Sequence, residues 1–120
     1  MNFSSPIKNE ISNFQQVKEA AFQLRENWNI GVDGIVNVIV LLEEQGIKIL
    51  EIDAPDSFDG LSSMVNDEYP VIVLNKSFSS ERKRFTALHE LGHLVLSFSK
   101  ELSEKDEENF CNLFANEMLI

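Results

Sequence analysis

The chain has 120 residues and a formal charge of −10, from 20 acidic and 10 basic side chains. We expect one domain over residues 1–120, with a core of its own. The negative charge disfavours direct binding of nucleic acids and of anionic membrane surfaces. A single cysteine excludes an intrachain disulfide and a cysteine cage for zinc, and no apolar run approaches the roughly 20 residues of a membrane span. Because the first residues also do not resemble a signal peptide, we expect a cytoplasmic protein.

Two helices are predicted in the first part of the chain. Apolar side chains recur every three or four positions from Ile11 through Phe14 to Trp28, which is typical of the buried face of an amphipathic helix. A second helix is predicted from Asp33, as its N-cap, to Gly46, as its C-terminal stop.

Three short strands are predicted next. Residues 47–52 alternate and are rich in β-branched side chains, residues 61–65 are a short strand candidate, and residues 71–74 are typical of a buried strand. These segments predict a small sheet of about three strands between two helical halves.

Two further helices are predicted after the sheet. Ser79 or Ser80 caps the third, which runs to Phe98, and Ser103 caps the fourth after a turn at residues 100–102. The order of helices and strands is that of an α+β fold and not of alternating βαβ units.

The third predicted helix carries both histidines of the chain. Residues 89–93 read His-Glu-Leu-Gly-His, so His89 and His93 lie on one helix face about 6 Å apart along the axis. Two neutral imidazoles at this spacing can bind one zinc ion, and Glu90, turned aside from them, can act as the catalytic acid/base. Gly92 would let another element approach closely. The alternative is two helical histidines and a solvent-facing glutamate without metal.

Zinc needs a third protein ligand, and the sequence has no third histidine. The remaining choices are a carboxylate, the thiol of Cys111, or no ligand from this chain. If the last two helices are antiparallel, Glu108 returns to the level of His93 and heads an otherwise apolar stripe. We therefore predict Glu108 as the ligand, Glu107 as its substitute and Cys111 as a small buried apolar residue. The alternative is that Glu108 only favours the helix dipole as a first-turn acid.

These segments resemble the ImmA/IrrE family of zinc metallopeptidase-like proteins. Residues 84–86, Arg-Phe-Thr, precede the H-E-L-G-H as in that family, and residues 108–120 are similar to its pattern E-x-x-A-N-x-F-A-x-E-L-L-M-P. The resemblance covers residues 71–120. Cys111 stands where the family has alanine, and the chain stops at Ile120, before the family's proline. We therefore expect either a shortened chain or a minimal member.

The resemblance implies a zincin-like fold with one zinc ion. Carried over residue by residue, it makes His89, His93 and Glu108 the metal ligands and Glu90 the catalytic acid/base. It also implies hydrolysis of a peptide bond in an intracellular protein, with a helix-turn-helix DNA-binding repressor as partner. The acidic charge of the chain suits such a basic partner. No nucleic acid or membrane is expected as a direct partner, and the oligomeric state stays open.

Other interpretations of the same residues remain. A non-catalytic zinc-binding sensor or interaction module that regulates a repressor needs only the ligands, so the presence of Glu90 favours catalysis. The H-E-x-x-H spacing also accepts manganese or cobalt. Tyr69 or a backbone N–H could stabilise the oxyanion, and residues 61–65 could form a sheet edge that pairs with an extended substrate.

Overall fold

The computed structural model describes residues 3–30, 35 and 37–119. Its architecture is α+β, as the sequence predicts. In chain order the elements are β1 (Glu10–Ile11), α1 (Phe14–Asn27), α2 (Val38–Glu44), β2 (Lys48–Ile52), β3 (Gly60–Val65), β4 (Tyr69–Asn75), α3 (Ser80–Val95), β5 (Ser97–Phe98) and α4 (Glu104–Leu119). Within these described ranges, no helix combines the length and apolar character that crossing a membrane requires.

The three predicted strands form one sheet in the order β2-β4-β3. The central strand β4 pairs with β2 in parallel and with β3 antiparallel, so that Val73 lies between Leu50 and Leu61. Ile72 and Leu74 of β4 are fully buried, which fits the continuous apolar run of a central strand. Because β3 is at the edge of this sheet, one side of its backbone has no strand partner among the described residues.

The helices pack against the sheet and against one another. Helix α3 contacts β3 and β4, α4 packs on α3, and α1 packs on α4. The buried apolar side chains of these elements form one cluster, and Trp28 packs against it, as predicted. The largest fully buried members include Leu24, Leu88, Leu91 and Phe114. The helix bearing both histidines is therefore enclosed between the sheet and α4.

Helix α1 begins later than predicted. Asn13 is its N-cap, because its side-chain oxygen accepts a hydrogen bond from the Gln16 N–H at 2.9 Å. Ile11 is buried, but in strand β1 and not in the helix. Phe14 was predicted to lie on the buried face, yet 62% of it is exposed. Its ring packs edge-on against the Phe110 ring, with centroids 5.3 Å apart.

Helix α2 is shorter than predicted. Asn37 caps it by accepting a hydrogen bond from the Val40 N–H at 3.0 Å, and the predicted cap Asp33 lies outside the described residues. Past its C-terminus, Gly46 has a φ of +88°, the left-handed conformation that ends a helix and that glycine adopts without strain. The predicted stop at this glycine is confirmed.

The prediction that the third helix reaches Phe98 is wrong. Helix α3 ends at Val95, and Ser97–Phe98 forms β5 in parallel with β1. The N-terminal segment supplies the hydrogen bonds that replace helical ones: Ser5 Oγ donates to the Val95 carbonyl at 2.6 Å, and the Ser99 N–H donates to the Ile11 carbonyl at 2.8 Å. Long-range pairing therefore overrides the local apolar period.

Helix α4 begins as predicted. The Ser103 hydroxyl accepts a hydrogen bond from the Asp106 N–H at 3.1 Å, and the Asp106 carboxylate accepts one from the Ser103 N–H at 3.2 Å. This reciprocal pair satisfies two backbone donors at the helix start. It determines where α4 starts and hence which of its residues face α3.

Candidate metal centre

Helix α3 presents its two histidines side by side. Ser79 begins the helix by accepting a hydrogen bond from the Arg82 N–H at 3.2 Å. Along the helix, His89 and His93 are one turn apart, with ring centroids separated by 5.1 Å. Their side chains are 14% and 27% exposed, so both rings lie at the protein surface with one side covered.

Helix α4 brings a carboxylate to this pair. Glu108 Oε2 lies 2.5 Å from His89 Nε2 and 3.3 Å from His93 Nε2. One ligand atom from each of the three residues lies within 4.8 Å of the others. The structure thus brings together the three residues that the sequence proposes as metal ligands. Glu107 is not a member of this group.

A small residue lets α3 and α4 approach closely at this level. An ideal Cβ placed on Gly92 would lie 3.1 Å from Cys111 Sγ and 3.3 Å from the Phe114 ring. These separations are tighter than ordinary van der Waals contacts, so a larger residue would require Cys111 or Phe114 to shift. The expectation that Gly92 permits close approach is confirmed, and this contact places Glu108 within reach of the histidines.

Cys111 is fully buried at the same helix contact. Burial raises the pKa of its thiol well above the usual value, and the nearby carboxylates of Glu108, Glu90 and Glu107 raise it further. Its complete burial between the two helices suits the packing role predicted for a small apolar residue. Cys111 is also not a member of the three-residue group.

The charge state of Glu108 is set by competing effects. Partial burial of its carboxyl raises the pKa, but the hydrogen bond with His93 and the charges of both imidazoles outweigh it and lower the pKa below the usual value. Glu108 is therefore an ionised acceptor that faces two imidazole nitrogens.

Asn112 is a residue at this site that the sequence reasoning missed. Its Oδ1 lies 2.7 Å from His89 Nδ1, so an Nδ1–H of the imidazole donates to the amide oxygen. This contact fixes the ring so that Nε2, the other ring nitrogen, faces Glu108 at the candidate metal position. Asn112 follows Glu108 by four positions and thus lies on the same face of α4. This spacing is the signal that could have identified it.

Glu90 lies between two openings beside the histidines. A cavity of about 520 Å³ and a groove of about 500 Å³ along β3 both include Glu90 and Glu108 in their linings. Glu90 is 9% exposed, and its carboxylate has no hydrogen bond or ion pair with any residue in the described ranges. It is therefore free to meet a molecule that enters either opening.

Comparison with known protein families agrees with this arrangement. The sequence profile of the Peptidase_M78 family, described as the IrrE N-terminal-like domain, matches residues 42–120. The chain belongs to this family. The match begins in α2 and includes the sheet, α3 and α4, and with them every residue of the candidate centre. No curated protein matches the chain significantly.

Membership of the IrrE N-terminal-like family makes a zincin-like metallopeptidase fold the appropriate description of this α+β unit. The donor set of His89, His93 and Glu108 fits a metal ion, because two imidazole nitrogens and one carboxylate oxygen are a combination that zinc accepts. Three protein ligands would leave a coordination position open, as catalytic zinc sites require.

Tyr69 is not at this centre. It lies at the start of β4 and lines a separate cavity with Phe3, Trp28 and Gly46. That cavity shares no lining residue with the two openings beside Glu90. The interpretation of Tyr69 as an oxyanion donor is therefore not supported by its position in this family member.

Proposed function

We propose that the chain is a zinc-dependent endopeptidase domain that hydrolyses a peptide bond in an intracellular protein. The observation that carries the proposal is the convergence of three ligand atoms within 4.8 Å, beside a carboxylate that lines both adjoining openings. A peptidase family match over residues 42–120 supports the same reaction class.

The proposal assigns a role to each group. His89, His93 and Glu108 would hold the ion, and Asn112 would orient the His89 ring through its 2.7 Å contact. Zinc, when bound, would polarise the scissile carbonyl and favour deprotonation of water at the site. Glu90 accepts a proton from the attacking water and later delivers it to the leaving amine.

The edge of the sheet supports the binding of an extended substrate. Among the residues that the structure describes, strand β3 has no partner strand on one side. Its residues 60–64 line the groove that also contains Glu90 and His93. A peptide that pairs with this edge would gain backbone hydrogen bonds and lie across the candidate metal centre. The prediction that this strand is a sheet edge is confirmed, and its pairing with substrate is part of the proposal.

We infer a DNA-binding repressor of the helix-turn-helix type as the protein substrate. The support is the formal charge of −10, which favours encounter with a basic protein, together with the family resemblance. A cytoplasmic setting follows from the same partner.

The experiment that tests the proposed function combines metal analysis with cleavage. The native chain and Glu90→Gln are purified, their zinc content is measured, and each is incubated with a purified helix-turn-helix repressor. We expect about one zinc per chain in both proteins and a cleavage rate at least about 100-fold lower for Glu90→Gln.

Three results would contradict parts of the proposal. Absence of metal after zinc loading would reject the metal centre. Equal cleavage by both proteins would reject the role of Glu90. Stoichiometric zinc with repressor binding but no cleavage would instead favour the non-catalytic zinc-binding module.

A further inference from the structure

One of the two openings at the candidate metal centre is lined in part by two phenylalanines. The cavity of about 520 Å³, called here the aromatic cavity, is lined by the half-buried residues Phe58 and Phe85 and by Thr86, together with the polar residues Ser57 and Asn112. His89 and Glu90 belong to the same lining. A side chain that enters the aromatic cavity therefore belongs to a residue at or beside the bond that the centre attacks.

The outer wall of the aromatic cavity is held by a buried asparagine. Asn75 is fully buried at the end of β4, and its side-chain amide lies within hydrogen-bonding distance of three loop carbonyls. The amide nitrogen lies 3.2 Å from the Ala54 oxygen, 3.0 Å from that of Pro55 and 2.9 Å from that of Phe58. The Asn75 N–H also donates to the Asp59 carbonyl at 3.1 Å. The wall that carries Phe58 is thus preorganised before any ligand arrives.

A second link ties this wall to helix α3. Arg82 Nε and Nη2 donate to one oxygen of Asp59 at 2.9 and 2.5 Å, and the guanidinium lies 3.7 Å from the centroid of the Phe78 ring. Arg82 and Asp59 both line the aromatic cavity. Each charge is therefore already compensated, and the remaining lining carboxylates, Glu90 and Glu108, disfavour an acidic guest.

The aromatic cavity continues the groove along β3. Gly60, Glu90 and Glu108 line both openings. An ideal Cβ on Gly60 would lie 2.7 Å from the Val73 carbonyl oxygen and 2.9 Å from Thr86 Cγ2, so β3 is pressed onto α3 where the openings meet. A peptide along β3 would pass the metal centre and direct an adjacent side chain into the cavity that Phe58 and Phe85 line.

We infer that the aromatic cavity selects substrates with a large apolar residue, aromatic or branched aliphatic, next to the scissile bond. This inference rests on the proposed peptidase function. Phe58 and Phe85 determine the preference by contact, while Asn75 and Arg82 act as positioning residues for the wall. Burial of a benzyl or isobutyl group against two rings favours such a guest by about tenfold or more over a guest without a side chain.

The test measures binding without requiring turnover. Short peptide hydroxamates, whose hydroxamate group ligates zinc, are titrated calorimetrically into the zinc-loaded chain. Two series place the variable side chain on either side of the hydroxamate, and each series contains benzyl, isobutyl, carboxymethyl and unsubstituted members. In one series we expect benzyl or isobutyl to bind at least about tenfold more tightly than the unsubstituted member, with carboxymethyl weakest.

Variants connect this preference to the aromatic cavity. Phe58→Ala should reduce the preference to within about threefold, because Phe58 lies outside the packed core and its removal only opens the wall. Phe58→Trp should narrow the cavity and weaken the binding of the benzyl member more than that of the isobutyl member. Phe22→Ala, which removes a 57% exposed ring from α1, should leave the preference unchanged. Thermal unfolding of each variant reports its folding.

The outcomes separate the inference from the function on which it rests. If no hydroxamate binds the zinc-loaded chain, the proposed metal centre fails. If all members of both series bind equally, the metal centre stands and the selection by the aromatic cavity is rejected. A preference that survives unchanged in folded Phe58→Ala and Phe58→Trp also overturns the inference.

Discussion

The helix pair that gathers the candidate metal ligands and the loop that walls the aromatic cavity are built by different forces. Helices α3 and α4 meet through apolar contact, with Gly92 against Cys111 and Phe114. The loop at residues 54–59 is held by the buried Asn75 amide and by one exposed ion pair. Tight packing fixes where the ligands lie, whereas directed hydrogen bonds fix the shape presented to a substrate. Variants of the two regions should therefore have separable effects.

The largest expected effect lies in the helix pair, at the partner of His89. Asn112→Leu removes the acceptor at 2.7 Å from His89 Nδ1 and lets the ring rotate or change tautomer. Loss of such an outer contact lowers metal affinity by about 10–100-fold. Competition with a chromophoric zinc chelator measures the affinity.

Asn116→Leu is the matched control, because Asn116 is exposed on the next turn of the same helix. We expect its zinc affinity to equal that of the native chain. Equal affinities for Asn112→Leu and the native chain would show that the observed contact does not orient His89.

The second largest effect is expected for the loop at residues 54–59. Asn75→Ala leaves the carbonyls of Ala54, Pro55 and Phe58 without their amide donor, which should lower the free energy of unfolding by roughly 2 kcal/mol. Urea unfolding gives this value. Zinc affinity should stay unchanged, while the hydroxamate side-chain preference should broaden as the wall loosens.

A fall in zinc affinity for Asn75→Ala, comparable with that of Asn112→Leu, would contradict the separation of the two regions. It would mean that the loop and the helix pair form one cooperative unit in the folded chain.

Much of the helix pair could be predicted because its determinants are local. The four-residue spacing of His89 and His93 is a property of one helix, and Ser103 fixes the start of the next. Helix rise then brings Glu108 to the correct level even though α3 ends three residues earlier than predicted. Asn112 was not predicted as a partner of His89, because an exposed asparagine four positions after Glu108 carries no apolar or metal-ligand pattern.

Strand β5, the exposure of Phe14 and the cavity wall could not be predicted from the sequence. Strand β5 has two residues and pairs with β1 far away in the chain, so no local period reveals it. The apolar period of the first helix predicts that Phe14 is buried. Phe14 is the first residue of α1, however, and its exposure depends on whether another element covers that end of the helix. The wall of the aromatic cavity depends on one buried asparagine at a strand end, which has no periodic signature in the sequence.

The smallest expected effect tests whether an ion pair can matter for selection without mattering for stability. Arg82 and Asp59 are 50% and 52% exposed, so Arg82→Gln should change the free energy of unfolding by less than about 1 kcal/mol. Lys83→Gln is the matched control. Lys83 lies on the same helix as Arg82 and forms an ion pair with Glu51 at 2.9 Å, but it does not line the aromatic cavity. Only Arg82→Gln leaves Asp59 uncompensated at the wall. Hydroxamates with a basic side chain should therefore gain affinity for Arg82→Gln alone, and an equal gain in both variants would reduce the effect to the overall charge of the chain.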